Sequence, residues 1–208
     1  MTEKEKMLKG LIYDSNNEEL VQLRRKAHKL CNEYNSLEET NPRRREILKE
    51  LGIKGWEKIY LQGPIQFDYG CFTSFGENSY ANFNFTVLDT CPIKIGNNVF
   101  MGVNVTLVTP LHPMHYLDRN LYINKDKGYF TDDEYGAPIE IGDNCWIASN
   151  VVVCGGVKIG SGSVIGAGSV VLKDIEPNSF AAGNPCKVIR KITEKDRENF
   201  KKLKEMSK

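Results

Sequence analysis

A run of six consecutive hexapeptides limits the fold of this chain more than any other feature of its sequence. Each unit opens with an aliphatic residue, and the openers are Ile141, Ile147, Val153, Ile159, Ile165 and Val171. A period of six matches neither the period of about 3.6 of an amphipathic helix nor the alternation of an ordinary strand. It is typical of short rungs that stack and bury a shared aliphatic column. The repeat predicts a β-helix with triangular coils.

Two other positions of the repeat support this interpretation. The fifth residue of each unit is modest in size, as expected where a short strand turns and its side chain points inward: Cys145, Val151, Val157, Ser163, Ser169 and Ile175. Asparagine or glycine stands at the corners, where turn conformations strain β-branched residues: Asn144, Asn150, Gly156, Gly162 and Gly168.

The rest of the chain divides around these rungs. Apolar residues at helical spacing predict one helix near residues 17–37 and a second near 42–51, so residues 1–55 are expected to form a helical cap. The predicted β-helix covers residues 56–192, and a charged helical tail covers 193–208. The six-residue register is lost between about 109 and 138. A solenoid that extrudes a loop of this length usually builds a site there.

Composition excludes several function classes. The formal net charge of the 208 residues is +1, which gives no general electrostatic argument for nucleic acid or an anionic membrane. No segment approaches the roughly 20 apolar residues of a membrane span, and the start lacks a secretory apolar run, so a cytoplasmic protein is expected. Six cysteines occur without a CxxC pair, which indicates reduced structural thiols.

Two of the three histidines, His112 and His115, stand at the opening of the extruded loop. Histidine takes up a proton near neutrality, and Pro113 restricts the backbone beside His112, so His112 is the candidate general base. The alternative is a surface histidine without a role, which is the favoured interpretation of His115. His28 lies on the charged face of the first predicted helix and is assigned no role.

Several motifs together closely resemble the maltose and galactoside O-acetyltransferases, which are hexapeptide-repeat acyltransferases. The motifs are Tyr80–Asn84, the pair His112–Pro113, Ile141–Ile147, Val164–Ser169 and Ala181–Arg190. The resemblance implies a mainly β fold: a left-handed parallel β-helix with an N-terminal helical cap, an extruded loop and a short C-terminal helix. It also implies a homotrimer with active sites between neighbouring subunits, and acetyl-CoA as the acetyl donor, without a metal.

The resemblance implies roles for individual residues on the acceptor side. His112 matches the general base, and Asn82 matches a residue that positions the acceptor and the reacting centre. Asp14, Asp68 and Asp89 match residues that contact sugar hydroxyls, which carboxylates can select by accepting hydrogen bonds. Alternatively, Asp68 and Asp89 are turn residues. Trp146 matches an aromatic residue at the cleft, or else it is a packing residue on an outer face.

On the donor side, the resemblance places coenzyme A along one wall of the coils. Ser149 and Ala167 match residues that line the pantetheine channel, and Lys173, Lys187 and Arg190 match residues that hold the coenzyme phosphates. The alternative for Lys187 and Arg190 is a solvated pair of charges at the end of the β-helix.

The resemblance leads to a prediction of acetyl transfer to a hydroxyl of glucose, maltose or a galactoside. The acceptor motif Leu88-Asp89-Thr90 lacks the paired acid of the galactoside enzymes, and Asp68 is more like the maltose enzymes. An acetyltransferase for an antibiotic or another non-sugar alcohol is the alternative enzyme, and a trimeric scaffold is the non-enzymatic alternative. A zinc carbonic anhydrase on this fold requires a third histidine ligand, which His28 is in the wrong segment to supply.

Overall fold

The computed structural model describes residues 1–207, so Lys208, the last residue of the predicted tail, lies outside the described residues. Within the described residues the five α-helices are α1 (Glu3–Leu8), α2 (Glu18–Ser36), α3 (Arg43–Glu50), α4 (Tyr116–Arg119) and α5 (Glu194–Met206). The strands are β1 (Tyr60–Leu61), β2 (Ile65–Phe67), β3 (Thr73–Phe75), β4 (Tyr80–Ala81), β5 (Phe85–Leu88), β6 (Ile93–Ile95), β7 (Phe100–Met101), β8 (Thr106–Val108), β9 (Pro110–Leu111), β10 (Tyr122–Asn124), β11 (Tyr129–Thr131), β12 (Tyr135–Gly136), β13 (Ile139–Ile141), β14 (Trp146–Ile147), β15 (Val152–Cys154), β16 (Lys158–Ile159), β17 (Val164–Ile165), β18 (Val170–Val171), β19 (Ser179–Ala182) and β20 (Lys187–Lys191).

The strands form a parallel β-helix, which confirms the fold predicted from the hexapeptides. Successive strands along the chain belong in turn to a seven-stranded, a five-stranded and a four-stranded sheet. Each strand pairs with strands of the neighbouring coils. Ile147, for example, pairs with Met101 on one side and with Ile165 on the other. Every repeat-opening aliphatic residue is buried in one continuous core, because equal positions of successive coils lie above one another.

The corners of the coils have the predicted conformation. Backbone φ is positive at each of the five asparagine and glycine positions named for the corners, for example +59° at Asn144. The fifth residue of every hexapeptide is buried, and Ser163 and Ser169 are fully so. Modest side chains at this position leave room for the facing strands of the triangle to approach each other.

The helical cap covers the first coils of the β-helix. Leu30 and Tyr34 of α2 and Ile47 of α3 join the same core as Leu61 and Ile65. The short α1 was not predicted, although a capping box at Thr2 and Glu5 begins it. A second cluster, which contains Met7 and Tyr69, holds α1 against the side of the β-helix.

The extruded loop leaves and returns at a single corner. β9 pairs antiparallel with β12, and the Ala137 N–H donates to the Thr109 carbonyl at 3.1 Å where the two ends of the loop meet. Between them, β10 and β11 form a hairpin. The loop is inserted between β8 of the five-stranded sheet and β13 of the four-stranded sheet.

Within residues 1–207, no helix is both long enough and apolar enough to cross a membrane.

Candidate active site

His112 lies at the beginning of the extruded loop, one residue after β9. Its side chain is 44% exposed, and its Nδ1 is 3.5 Å from Oδ2 of Asp132, which follows β11. The pairing of β9 with β12 brings the two ends of the loop together, and this places Asp132 beside His112. An imidazole that faces a carboxylate on Nδ1 keeps Nε2 available for a proton.

Glu134 is a second carboxylate near His112, and sequence reasoning missed both it and Asp132. Glu134 accepts a hydrogen bond from the Tyr13 hydroxyl. Burial raises the pKa of Glu134, while the Tyr13 hydrogen bond and the charge of His112 act in the opposite direction. The sequence feature that could have indicated these two carboxylates is the acidic run Asp132–Glu134, which lies shortly before the hexapeptide register resumes.

Asp14 fastens the N-terminal segment to the hairpin of the extruded loop. Its carboxylate accepts hydrogen bonds from Lys127 at 2.5 Å, from Thr131 at 3.0 Å and from the Tyr129 hydroxyl. Burial acts to raise the pKa of Asp14, but the hydrogen bonds from Lys127 and Tyr129 outweigh it and hold that pKa below its ordinary value. The carboxylate is therefore already occupied by groups of its own chain.

Asp89 is fully buried, in contrast to the expectation that it contacts a sugar. Its Oδ1 accepts from the backbone N–H groups of Tyr69 and Gly70, at 2.9 and 3.2 Å, and its Oδ2 accepts from the Thr73 hydroxyl at 2.9 Å. Burial raises the pKa of Asp89 to about 7, against the effect of these three hydrogen bonds. The carboxylate anchors the turn that follows β2, so it presents no surface to an acceptor.

Asp68 differs from both, because its side chain is 23% exposed and faces His28. His28 Nε2, on α2, is 3.6 Å from Asp68 Oδ1. Burial raises the pKa of Asp68, and the nearby charges of His28 and Arg24 oppose this effect. Sequence reasoning assigned His28 no role, since nothing in the spacing of α2 indicates that this position faces β2.

Asn82, Ser149 and Ala167 lie along one corner of successive coils, which we call the Asn82 corner. The register stacks Ala81 and Ile147 with Ile165, so residues just after these positions are also stacked. The Asn82 Oδ1 accepts from the Phe83 N–H at 2.8 Å, and the Ser149 Oγ accepts from the Val103 N–H at 3.2 Å.

Small residues keep the Asn82 corner narrow. A Cβ added to Gly102 would lie 2.7 Å from the Ser149 backbone nitrogen, and one added to Gly166 would lie 2.8 Å from the Ala182 Cβ. A side chain at Gly102 or Gly166 would therefore clash, and glycine lets successive coils stack closely along this corner.

Trp146 lies on the outer face of the seven-stranded sheet and is 55% exposed. It lines a surface cavity of about 280 Å³ together with Phe180, Arg190 and Asp196. Arg190 makes two hydrogen bonds to Asp196, at 2.7 and 2.9 Å, and its guanidinium lies 5.7 Å from the centre of the Phe180 ring. The strands β14, β17, β19 and β20 are neighbours in this order within the sheet, and their pairing brings Trp146 of β14 near Arg190 of β20.

The two expected lysines of the donor side are separate from this cavity. Lys187 is exposed on β20, and Lys173 is exposed two residues after β18. β18 belongs to the five-stranded sheet, and its end lies at the corner from which the extruded loop leaves. Lys173 is therefore on the side of His112 within one chain, and not on the side of Ser149.

The comparisons with known proteins agree with this architecture. The family model for the maltose acetyltransferase hexapeptide capping motif matches residues 6–51, and the model for the bacterial transferase hexapeptide (six repeats) matches residues 138–173. The galactoside O-acetyltransferase of Escherichia coli is 38% identical over 94% of this chain and 92% of its own length. A crystal structure of a maltose O-acetyltransferase from Clostridium difficile is 44% identical, with a TM-score of 0.82 over 93% of this chain and 98% of that one.

The chain belongs to the maltose and galactoside O-acetyltransferase family. It is accordingly an acetyltransferase of the hexapeptide-repeat type. A galactoside acetyltransferase solved in complex with coenzyme A is 37% identical, with a TM-score of 0.80 over 95% of this chain and 94% of that one.

In this acetyltransferase, seven of the expected site residues fall into two groups on opposite edges of the five-stranded sheet. His112, Asp68, Asp89 and Lys173 lie at the corner where the extruded loop leaves, which we call the loop corner. Asn82, Ser149 and Ala167 lie at the Asn82 corner, which is the opposite edge of the same sheet. At about 3.3 Å per residue, one face of a coil separates the two corners by roughly 15 Å. Within a single chain the two groups of expected site residues therefore lie apart.

Proposed function

We propose that this acetyltransferase transfers the acetyl group of acetyl-CoA to a hydroxyl of a sugar, such as glucose, maltose or a galactoside. The observation that carries the proposal is His112, partly exposed at the loop corner, with Asp132 at 3.5 Å from its Nδ1 and Asp68 at the same corner. The named sugar acetyltransferases among its relatives support a sugar acceptor.

The proposed chemistry needs no acyl-enzyme. The His112 Nε2 removes the proton from the acceptor hydroxyl while that oxygen attacks the thioester carbonyl carbon of acetyl-CoA. The tetrahedral centre then collapses, the carbon–sulfur bond breaks, and the imidazolium returns its proton to the departing coenzyme A thiolate. The Asp132 carboxylate, 3.5 Å from Nδ1, stabilises the imidazolium through its negative charge. The Asn82 side chain positions the acceptor and the reacting centre.

Acetyl-CoA would lie along the Asn82 corner, where Ser149 and Ala167 border the narrow row of small residues. Lys187 and Arg190 continue from β19 on β20, and together with Lys173 of a neighbouring copy they would hold the phosphates. A phosphate at Arg190 competes with Asp196, the present partner of this guanidinium. The indole of Trp146 lies beside Arg190 on the same sheet and would border the cleft.

A complete site would require a second copy of the chain. His112 and Asn82 lie on opposite edges of the five-stranded sheet, too far apart for both to touch one reacting centre. A homotrimer in which the loop corner of one subunit faces the Asn82 corner of the next joins the two half-sites three times. We therefore propose a homotrimer with its active sites between neighbours.

A free-thiol assay with acetyl-CoA tests the function. Wild-type protein is offered glucose, maltose, galactosides and chloramphenicol, and we expect the sugars to release coenzyme A. His112→Ala should lower turnover by about 10² or more, the scale of a lost general base. His115→Ala is the matched control, because His115 is an exposed loop residue stacked on Tyr116.

Three outcomes would contradict the proposal. Full turnover in His112→Ala would remove the general-base mechanism. Transfer to chloramphenicol alone would favour a non-sugar acceptor. No binding of acetyl-CoA by calorimetry would favour the trimeric scaffold.

A further inference from the structure

Asp68 is the one candidate acceptor carboxylate that its own chain leaves open. Asp14 accepts hydrogen bonds from three side chains, and Asp89 accepts from two backbone N–H groups and a hydroxyl. Among residues 1–207, by contrast, the nearest charged group to the Asp68 carboxylate is His28, at 3.6 Å. That separation is too long for a direct hydrogen bond. A partly buried carboxylate without strong partners is suited to accept hydrogen bonds from a ligand.

One hydroxyl group can bond to His28 and Asp68 at the same time. A hydroxyl oxygen placed beside the pair, about 2.8 Å from each of the two atoms, can donate its proton to Asp68 Oδ1 and accept a hydrogen bond from His28 Nε2–H. The His28 side chain is 53% exposed, so a ligand can reach it. A lysine at this position would be charged and flexible enough to close directly on Asp68, whereas the ring of histidine is rigid.

The pair lies on the same side of the molecule as His112. Asp68 follows β2 directly, and the register stacks Phe67 with Val87 and Leu107, which places Asp68 at the loop corner. Burial is the main cause of the raised pKa of Glu134, and the charges of His112 and Asp68 both act on that pKa as well. His112, Glu134 and Asp68 thus belong to one cluster of charges.

We propose that His28 and Asp68 together bind one hydroxyl of the acceptor and thereby select acceptors that carry a second hydroxyl near the one that is acetylated. Asp68 accepts from this hydroxyl and His28 donates to it. This inference rests on the proposed function, because it assigns part of the acceptor site. It gives α2, an element of the helical cap, a direct contact with the substrate.

Steady-state kinetics of His28 variants test the inference on the sugar that wild-type protein uses best. We expect His28→Ala to raise the KM for the sugar about tenfold, the effect of losing one hydrogen bond. The kcat and the KM for acetyl-CoA should stay within about twofold, because the lost hydrogen bond stabilises the bound sugar and the transition state equally. His28→Gln, which keeps an N–H donor, should recover most of the loss. Lys29→Ala, an exposed neighbour on α2, is the control and should match wild type.

Monodeoxy analogues of the same sugar separate a contact from a structural effect. For the analogue that lacks the bound hydroxyl, wild type and His28→Ala should have the same KM, because the interaction is absent from both. An unchanged KM in His28→Ala, or the same loss for every analogue, would overturn the inference. So would a His28→Gln variant as impaired as His28→Ala.

Failure of this inference is distinguishable from failure of the proposed function. If wild type acetylates no sugar, the proposed function is wrong and the inference falls with it. If wild type acetylates a sugar and His28→Ala does so with an unchanged KM, the inference alone is wrong.

Discussion

Asp14, Asp68 and Asp89 are the same residue type, matched to the same expected role, but their surroundings give their carboxylates three different properties. Asp14 is held ionised by donors from the extruded loop, Asp68 is partly exposed beside His28, and Asp89 is buried with a pKa raised to about 7. At the scale of single residues, contacts rather than residue identity decide which carboxylate can bind an acceptor.

The raised pKa of Asp89 predicts a pH-dependent stability. The folded state keeps a proton on Asp89 that the unfolded state has lost above about pH 4, so the free energy of unfolding falls as pH rises from about 4 to about 7. This one proton contributes a slope on the order of 1.4 kcal/mol per pH unit within that window. Asp89→Asn keeps an oxygen for the N–H groups of Tyr69 and Gly70, and it should remove this contribution.

Urea unfolding of wild type and Asp89→Asn at a series of pH values measures the difference. We expect the variant to lose less stability than wild type between about pH 5 and pH 7. Asp126→Asn, at an exposed loop position, is the control and should keep the slope of wild type. Parallel curves for wild type and Asp89→Asn would show that Asp89 is ionised throughout this range.

Sequence reasoning could assign His112 but not its surroundings. His112 stands out because a histidine opens the long break in the repeat. The hydrogen bonds that Lys127 and Tyr129 donate to Asp14 join residues more than a hundred positions apart, so no local pattern reveals them. The burial of Asp89 likewise depends on partners from the preceding coil.

At the scale of elements, a ladder of asparagine side chains joins the coils along the Asn82 corner. The Asn84 Nδ2 donates to the Asn104 Oδ1, and the Asn104 Nδ2 donates to the Asn150 Oδ1, each at 2.9 Å. All three residues have a φ between +59° and +60°. Asparagine therefore has two roles at these positions: its backbone tolerates the left-handed conformation, and its side chain links one coil to the next.

Two substitutions of Asn104 separate these contributions. Asn104→Gly loses both ladder bonds but keeps the positive φ without strain, and it should cost about 1 kcal/mol of stability. Asn104→Ala loses the same bonds and also places a Cβ in the left-handed region, which should cost about 1 kcal/mol more. Thermal or urea unfolding should rank wild type above glycine and glycine above alanine. Equal stability of the two variants would mean that the turn imposes no strain at this position.

The rungs of the β-helix could be predicted because each repeats the same local requirement, an aliphatic opener and a corner residue that tolerates positive φ. The extruded loop has no such repetition. Its hairpin, β10 and β11, and the pairing of β9 with β12 follow from contacts with the N-terminal segment, such as the bridge between Tyr13 and Glu134. The sequence indicated where the loop begins and ends, but its internal structure was not predictable.

At the scale of the whole molecule, the loop corner and the Asn82 corner cannot meet within one chain, because a rigid five-stranded sheet separates them. The extruded loop extends the loop corner outward, with Asp14 fastening its hairpin to the cap. This arrangement suits an oligomer in which each chain contributes one half-site to each of its neighbours.

Mixing two inactive variants tests this arrangement directly. In the proposed homotrimer, we expect His112→Ala to inactivate the loop corner of every chain that carries it. We expect Asn82→Ala to inactivate the Asn82 corner, and the Asn82 Oδ1 accepts a hydrogen bond from the neighbouring Phe83 N–H. The two variants are refolded together or co-expressed in equal amounts, so that mixed trimers form. A site in a mixed trimer has both residues when its His112 comes from an Asn82→Ala chain and its Asn82 comes from a His112→Ala chain. Random assembly places about one quarter of the sites in this arrangement, so we expect about one quarter of wild-type turnover. Each variant assembled alone should stay inactive, and mixed trimers without recovered activity would place both residues of a site in the same chain.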